Sequence, residues 1–256
     1  MNELRYTRGE PVALDEQEGP KRQSSFQAGG MAVVIGAAGA IGGALSDLLS
    51  SSDHFGTVVN LSRAGSPALN LSSEDTILAA AAHVAESGNP LRLVIDATGF
   101  LHGEGAMPEK TWRDLEPGRL AHSFAINTIG PALLMKHFLP LLSRDSKAVF
   151  ATLSARVGSI SDNQLGGWYG YRASKAALNQ MVRTAAIELK RCSPSAICVA
   201  LHPGTVESEL SAPFARSGLD VRPPRKAALE LLGVIEALTP EDTGTFLDQR
   251  GERPPW

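Results

Sequence analysis

The chain contains few cysteines and few aromatic residues. Of its 256 residues only two are cysteines, Cys192 and Cys198, and aromatic side chains make up 5% of the total. Two thiols six residues apart fit neither a disulfide framework nor the paired spacing of a zinc site. We therefore expect both cysteines to be packing residues in a reducing compartment. We also expect no metal site, because the histidines lack the spacing of metal ligands.

The chain also lacks an excess of charge of either sign and any long apolar run. Its 24 basic and 27 acidic residues leave a net charge of -3, which excludes a strong field that would attract nucleic acid or an anionic membrane. No stretch reaches the roughly 18 apolar residues of a membrane span, and the first residues lack the apolar core of a secretory signal. These absences predict a cytoplasmic protein whose partner is a small molecule.

A content of 43% hydrophobic and 20% charged residues suits one globular domain with a sizeable core. Residues 1–30 mix charges, prolines and glycines without a helical or strand period, which predicts an N-terminal extension whose order would need contacts with other parts of the protein. Residues 31–256 are then the single domain. A second interpretation of the same segment is that Met31 is the true start of the protein.

After Met31, short β-branched runs alternate with helical stretches. The strands are predicted at 31–36, 57–61, 91–96, 147–153 and 196–201, and the helices at 41–50, 74–86, 120–142, 171–191 and 226–238. Apolar strands that alternate with helices predict an α/β protein with a doubly wound parallel sheet, the Rossmann fold. Ligands of such sheets bind beyond the carboxyl ends of the strands.

A glycine-rich turn follows the first predicted strand. It contains Gly36, Gly39 and Gly42, with Ala38, Ala40 and Ile41 between them, and it leads into the first predicted helix. Residues without a Cβ atom allow unusual backbone angles and let a phosphate approach the amides of the helix N-terminus. The pattern favours a dinucleotide site over the alternative of a flexible strand-to-helix loop.

The end of the second predicted strand indicates which dinucleotide binds. It reads Asn60-Leu61-Ser62-Arg63 and lacks the acidic residue that would accept hydrogen bonds from a free ribose 2'-hydroxyl. The guanidinium of Arg63, beside the Ser62 hydroxyl, suits a 2'-phosphate instead. This predicts a preference for NADP, with NAD as the alternative cofactor and a solvated surface charge as the alternative role of Arg63.

Tyr171 and Lys175 are four residues apart in a predicted helix, so they share one face. A tyrosine has an ordinary pKa of about 10, and a nearby ammonium lowers it by roughly 1 to 3, which makes the phenol a proton donor or acceptor near neutrality. Reduction of a carbonyl needs such a group, because the oxygen gains negative charge as hydride arrives. Taken alone, a tyrosine four residues before a lysine is more often structural.

Taken in order, these stretches resemble the short-chain dehydrogenase/reductase family over nearly all of residues 31–256. The resemblance implies that Tyr171 and Lys175 are the catalytic pair and that Asn127 helps to keep a water and the lysine in a proton relay. It implies hydride transfer between a nicotinamide cofactor, NADPH preferred, and a carbonyl or alcohol. Further cofactor contacts are implied at Thr98, Gly99, Pro203, Gly204 and Thr205.

Stretches such as LSARVGSISDN and GGWYGYRASKAALN are similar to the C-factor-like branch of that family, which is named after a cell-signalling protein. An alternative function is therefore that of a non-catalytic dinucleotide-binding or cell-signalling protein of the C-factor type. In the family, helices corresponding to 120–142 and 171–191 pair across a two-fold axis. The resemblance thus implies a homodimer or homotetramer, although packing within one core would also explain their apolar residues.

The chain departs from the family pattern at three places. The glycines are spaced three and three residues apart, rather than four and then two. Ala155 stands where relatives carry the serine that polarises the substrate oxygen, so Ser154 is the candidate catalytic serine and Ser159 its alternative. Asp96 and Thr98 replace two asparagines. We expect Asp96 to be structural and, if buried, to need hydrogen-bond donors.

Two further segments bear on the substrate. Trp168 and Tyr169 precede the catalytic helix, where they either line a substrate pocket or anchor the loop by burial. Residues 205–224 are rich in turn formers and stand where the resemblance places a substrate lid, which we expect to be mobile.

Overall fold

The computed structural model describes residues 24–103, 107–214 and 220–256. The strands run in chain order as β1 (Met31–Ile35), β2 (Thr57–Leu61), β3 (Leu91–Asp96), β4 (Ala148–Leu153), β5 (Ala196–His202), β6 (Thr205–Val206), β7 (Val221–Arg222) and β8 (Phe246–Asp248). Six of them form one parallel sheet in the order β2-β1-β3-β4-β5-β8, and β6 pairs with β7. The order reverses between β1 and β3, so the doubly wound fold is present as predicted.

Helices connect the strands and cover both faces of the sheet. They are α1 (Ala40–Ser50), α2 (Glu74–Glu86), α3 (Pro117–Phe124), α4 (Gly130–Phe138), α5 (Tyr169–Cys192) and α6 (Pro224–Ala237). The single helix predicted at 120–142 is α3 and α4 joined by a π-helical turn, Ala125–Ile129. It begins earlier than predicted because Pro117 occupies the first helical turn, where its missing N–H costs nothing.

The strand side chains alternate between two apolar layers. In β1, Met31, Val33 and Ile35 pack with α2, α4 and α5 on one face, whereas Ala32 and Val34 pack with α1 and α6 on the other. All residues of β1, β3 and β4 are buried. This two-sided burial is why the strands are continuous apolar runs rather than alternating ones.

The strand ends differ from prediction by one residue in three cases. β1 stops at Ile35 because Gly36 has a φ of 82°, which no extended strand accommodates. β4 starts at Ala148, the first residue that pairs with β5, opposite Ala196. β5 continues to His202, opposite Asp248 of β8.

The segment 24–30 packs against the domain. The ring of Phe26 is 5% exposed and lies 5.6 Å from that of Phe55, and the Lys147 ammonium lies 4.8 Å from its centroid. Arg92, 2% exposed, donates to Gln27 at 2.9 Å. These contacts supply the order that the sequence pattern alone did not provide. Residues 1–23 lie outside the described residues, and the division of the chain at residue 30 remains a prediction for them.

Within the described ranges, none of the helices combines the length and the apolar character that crossing a membrane requires.

Candidate active site

The glycine turn lies at the carboxyl end of β1 and has the backbone that a phosphate site needs. Gly36 is in the left-handed region, and its carbonyl accepts the Gly39 amide at 2.9 Å. A Cβ on Gly42 would overlap the Gly36 carbonyl, so only glycine fits there. Gly39 caps α1 without any side-chain hydrogen bond, so the first amides of the helix stay open to an anion.

The other turn residues lie at the mouth of this cradle. Ala38, Gly39 and Ala40 are exposed, and Ile41 is half-buried against the apolar layer beneath α1. The turn therefore presents backbone rather than side chains to a ligand.

Ser62 and Arg63 follow β2, beside the glycine turn. The Ser62 carbonyl accepts the amides of Gly65 and Leu69, at 3.2 and 2.9 Å, which folds the chain back at this edge. Arg63 is exposed, and it forms no ion pair with any residue that the structure describes. Its guanidinium is therefore available to a ligand.

The loop after β3 joins the glycine turn to the middle of the α3–α4 helix. The Asn127 side chain accepts the Phe100 amide and donates to the Phe100 carbonyl, both at 2.8 Å. It also donates to the Ser174 hydroxyl at 3.1 Å, which ties this loop to α5. Asn127 lies in the π-helical turn, a local distortion that is frequent at functional sites.

Lys175 is buried, and its ammonium is held at the centre of the site. It donates to the Leu153 carbonyl at 2.7 Å and lies 3.8 Å from where a Cβ on Gly99 would be. Gly158 allows α5 to pack closely at Lys175, because a Cβ there would lie 2.9 Å from the backbone carbonyl carbon and the Cβ of Lys175. Burial lowers the pKa of Lys175 to about 8, while the negative charge of Asp96 acts in the opposite direction.

Tyr171 lies one helical turn before Lys175, but the predicted effect on its pKa is wrong in this structure. The ammonium is 6.0 Å from the centroid of the phenol ring and is bonded to Leu153 instead. Burial therefore dominates and raises the pKa of Tyr171 to about 12. The phenol is thus a neutral proton donor at pH 7, and lowering its pKa would require additional positive charge or hydrogen-bond donors.

The two candidate serines both have local partners. Ser154 is buried and donates to the Asn179 side chain on α5 at 2.7 Å. The Ser159 hydroxyl accepts the Asp162 amide at 3.1 Å. Ala155 is also buried and begins the turn Arg156–Gly158 after β4. The structure brings Asn127, Lys175 and Tyr171 together, whereas the Ser154 hydroxyl points to Asn179.

Glu109 orders the start of α5, a role that sequence reasoning missed. It is 6% exposed, its carboxylate accepts the Gly170 amide at 3.1 Å, and its backbone carbonyl accepts the Trp168 amide at 2.5 Å. A carboxylate at a helix N-terminus is favoured by the helix dipole. Glu109 is far from Gly170 in sequence, and no periodicity or local motif signals the contact.

Aromatic side chains cover the approach to Tyr171. The Trp168 ring lies 6.2 Å from that of Tyr171 and 4.8 Å from that of Phe214, which itself lies 5.5 Å from the His102 ring. Phe214 belongs to the segment predicted as a lid, of which 215–219 lie outside the described residues. Trp168 has a φ of 53°, a conformation that is strained for a bulky residue.

Pro203, Gly204 and Thr205 follow β5 and complete this edge of the sheet. Gly204 has a φ of 77°, and a Cβ there would overlap the guanidinium of Arg222. His202, just before them, has a buried Nδ1 without a hydrogen-bond partner in the part of the chain that the structure describes. Burial lowers the pKa of His202 to about 4, so the ring is neutral at pH 7.

Comparison with known proteins agrees with this geometry. A family model described as enoyl-(acyl carrier protein) reductase matches residues 43–233. A 1-hydroxy-2-glutathionyl-2-methyl-3-butene dehydrogenase of Rhodococcus sp. (strain AD45) is 31% identical over 194 residues, which are 74% of this chain and 79% of that protein. The chain belongs to the short-chain dehydrogenase/reductase family.

This short-chain dehydrogenase/reductase is also similar to C-signal of Myxococcus xanthus, with 35% identity over 143 residues, which cover 56% of this chain and 82% of that protein. A solved structure of an NADPH-bound carbonyl reductase from chicken fatty liver covers 90% of this chain and 100% of its own, with a TM-score of 0.77 and 26% identity. The predicted family and the predicted class, a nicotinamide-dependent oxidoreductase enzyme, are confirmed.

The residues present fit a dinucleotide. The uncapped α1 N-terminus and the glycine cradle suit a diphosphate, and Gly99 keeps the space beside the Lys175 ammonium free. Pro203, Gly204 and Thr205 follow β5, the strand that pairs with β4, and so lie at the same edge of the sheet as Lys175. A cofactor lying along this edge would reach from Arg63 to Lys175.

Proposed function

We propose that this enzyme reduces a carbonyl compound with NADPH and that Tyr171 donates the proton to the carbonyl oxygen. The observation that carries the proposal is the buried Lys175 ammonium, which is fixed between the Leu153 carbonyl and Gly99 one helical turn from Tyr171. The nicotinamide, when bound, supplies or accepts the hydride. The protein supplies the proton and stabilises the charge that develops on oxygen.

Lys175 and Asn127 have separate roles in this proposal. Lys175, protonated, stabilises the phenolate that Tyr171 becomes after it donates its proton, and it binds the ribose hydroxyls. Asn127 holds the loop of Thr98 and Gly99 through its paired bonds to Phe100, so it positions the wall of the site. The family's water and proton relay at this asparagine remains part of the proposal.

The proposed preference for NADPH rests on Arg63, because its exposed guanidinium at the end of β2 has no partner among the described residues and no acidic residue stands beside it. The NADPH named for the chicken carbonyl reductase supports the same choice.

Ser154 becomes the oxygen ligand in this proposal only when its hydroxyl leaves Asn179. Replacing Asn179 with alanine frees the hydroxyl, whereas Ser154→Ala removes it. If Ser154 contacts the substrate, Ser154→Ala lowers kcat by about 10². A decrease in kcat of less than threefold would show that Tyr171 and backbone groups alone contact the substrate oxygen.

The test of the function is NADPH oxidation against a panel of aldehydes, ketones and quinones. Tyr171→Phe should lose at least about 10³ in kcat/KM on any accepted substrate, because no proton donor remains. Tyr169→Phe is the matched control, since it removes a phenol two residues away and should keep nearly full activity. Full activity in Tyr171→Phe would contradict the proposal.

We also propose a homodimer or homotetramer in the cytoplasm. A groove of about 470 Å³ lies between α4 and α5, and Met181 on its rim is 44% exposed. Light scattering at micromolar concentration tests the assembly, and Met181→Asp should shift the mass toward the monomer if this face is the interface. The compartment is supported by Cys192 and Cys198, which are both free thiols.

A further inference from the structure

Asp96 is the last residue of β3, and its side chain is fully buried beside the site. One carboxylate oxygen accepts the Thr98 amide at 3.1 Å and the Thr98 hydroxyl at 2.5 Å. The other oxygen accepts the Thr152 hydroxyl at 2.7 Å. Asp96 therefore has the donors that a buried carboxylate requires, one from the backbone and two from hydroxyl groups.

These contacts favour the ionised carboxylate and so oppose burial, which raises the pKa of Asp96. The three groups can all donate, and an ionised carboxylate only accepts. A buried charge without a counter-charge is strongly unfavourable, so an ionised Asp96 needs a cation nearby. Lys175 is such a cation: it is also buried, and the charge of each group favours the charged form of the other.

The two groups are connected through the ends of neighbouring strands. Asp96 of β3 is in register with Thr152 of β4, and the Asp96 carboxylate accepts a hydrogen bond from the Thr152 hydroxyl. The carbonyl of the next residue, Leu153, accepts a hydrogen bond from the Lys175 ammonium. The loop that follows Asp96 returns to the ammonium at Gly99. The carboxylate and the ammonium are therefore both hydrogen-bonded to the end of β4, at Thr152 and Leu153.

We propose that Asp96 is a positioning residue whose negative charge keeps Lys175 protonated and so sets the upper pH limit of proton transfer from Tyr171. The inference rests on the proposed function. It assigns to Asp96 an electrostatic role in addition to the structural role that its hydrogen bonds provide. Asp96 itself does not contact the reacting atoms.

Burial and the mutual attraction of the two charges act in opposite directions on both pKa values. Burial lowers the pKa of Lys175 to about 8, and the charge of Asp96 keeps it from falling further. Burial raises the pKa of Asp96, and the three hydrogen bonds and the ammonium oppose that rise. Tyr171, one helical turn from Lys175, stays neutral at pH 8 because burial raises its pKa to about 12.

The first measurement uses the protein without cofactor. Titration of the lysine Cε and Nζ signals by NMR, with Lys175→Arg to assign the Lys175 signal, gives the pKa directly. In Asp96→Asn, which preserves shape, we expect this pKa to fall by about 1 or more, because an opposite charge has been removed. The matched control is Asp248→Asn, which alters another buried carboxylate at a strand end and should leave the Lys175 signal unchanged.

The second measurement is the pH dependence of kcat for reduction. In Asp96→Asn the loss of activity at high pH should begin about 1 pH unit lower than in the wild type. At pH 8 the protonated fraction of Lys175 would then be about fivefold smaller than in the wild type. Thr152→Val removes one hydrogen-bond donor to Asp96. It should shift the loss of activity at high pH in the same direction, but by less than Asp96→Asn does. This second variant tests the inference even if Asp96→Asn does not fold.

The outcomes separate the two proposals. If Tyr171→Phe is inactive but Asp96→Asn and Thr152→Val leave both the Lys175 pKa and the pH profile unchanged, the role of Asp96 is refuted and the proposed function stands. If Tyr171→Phe keeps its activity, the proposed function fails, whereas the NMR titration still reports the coupling of Asp96 to Lys175.

Discussion

The ammonium of Lys175 donates a 2.7 Å hydrogen bond to the backbone carbonyl of Leu153, the last residue of β4. A central strand of the sheet therefore fixes the cation of the active site, rather than a mobile loop. This contact also explains why the phenol of Tyr171 is not the direct partner of the ammonium. The proposed chemistry requires that the ammonium act on the phenol at short range through space.

The reduction rate of the wild type should fall as the pH rises through about 8. Lys175 must be protonated to stabilise the Tyr171 phenolate, and burial lowers the pKa of Lys175 to about 8. The protonated form predominates below that pH and disappears above it. Measurement of kcat from pH 6 to 10 checks the prediction, and a rate that increases steadily to pH 10 would contradict it.

Gly42→Ala should destabilise the glycine turn and abolish cofactor binding. The added Cβ would overlap the Gly36 carbonyl, and the backbone shift that such overpacking forces lowers the free energy of unfolding by about 1 to 3 kcal/mol. Gly233→Ala is the matched control in α6, where a Cβ meets nothing within 4 Å and should stabilise the helix by about 0.5 to 1 kcal/mol. Urea unfolding and NADPH fluorescence titration measure the two effects.

Arg63→Ala should weaken NADPH binding about 10- to 100-fold and leave NADH binding nearly unchanged, because a charge-assisted contact to the 2'-phosphate contributes about 1.5 to 3 kcal/mol. Arg191→Ala, an exposed arginine near the end of α5, controls for the loss of surface charge. Dissociation constants for both cofactors decide the matter. Equal losses for NADPH and NADH would show that Arg63 does not recognise the phosphate.

Trp168→Ala and Phe214→Ala should raise KM for an accepted carbonyl substrate by about tenfold, since each removes apolar contact area from the approach to Tyr171. NADPH affinity should not change. Trp112→Ala, which alters a tryptophan that is 67% exposed, is the control and should leave KM as in the wild type. Unchanged KM in both pocket variants would place the substrate elsewhere.

His202 should make the protein sensitive to acid. Burial lowers its pKa from 6.5 to about 4, so the folded state binds fewer protons than the unfolded state between these values. The stabilisation is present above pH 6.5 and is lost as the pH falls toward 4, by about 2 to 3 kcal/mol. Urea unfolding at pH 7 and 4.5 measures the loss, and His202→Gln should reduce it.

The sequence predicted the sheet well because burial on both faces produces uninterrupted apolar strands. The five predicted strands and five helices all exist, with ends displaced by a few residues at most. Strands β6, β7 and β8 were not predicted, since two or three residues carry no periodicity. The π-helical turn at Asn127 also has no local sequence signature.

The proximity of three candidate residues could be predicted from the sequence, but the electrostatics of the site could not. Asn127, Tyr171 and Lys175 converge as the motif and the resemblance indicated. The pKa of Tyr171 was predicted with the wrong sign, because spacing along a helix does not show that a strand carbonyl takes the ammonium. The contacts of Glu109 and Ser154 depend on residues distant in sequence, which only the folded chain brings together.

The segment that carries Phe26 has a practical consequence for anyone who shortens this protein. A version beginning at Met31 would uncover the ring of Phe55, leave Arg92 without its amide acceptor on Gln27, and remove both serines that bind Glu236. Such a truncated protein should be prone to aggregate, and its poor behaviour would say nothing about the chemistry at the opposite end of the sheet.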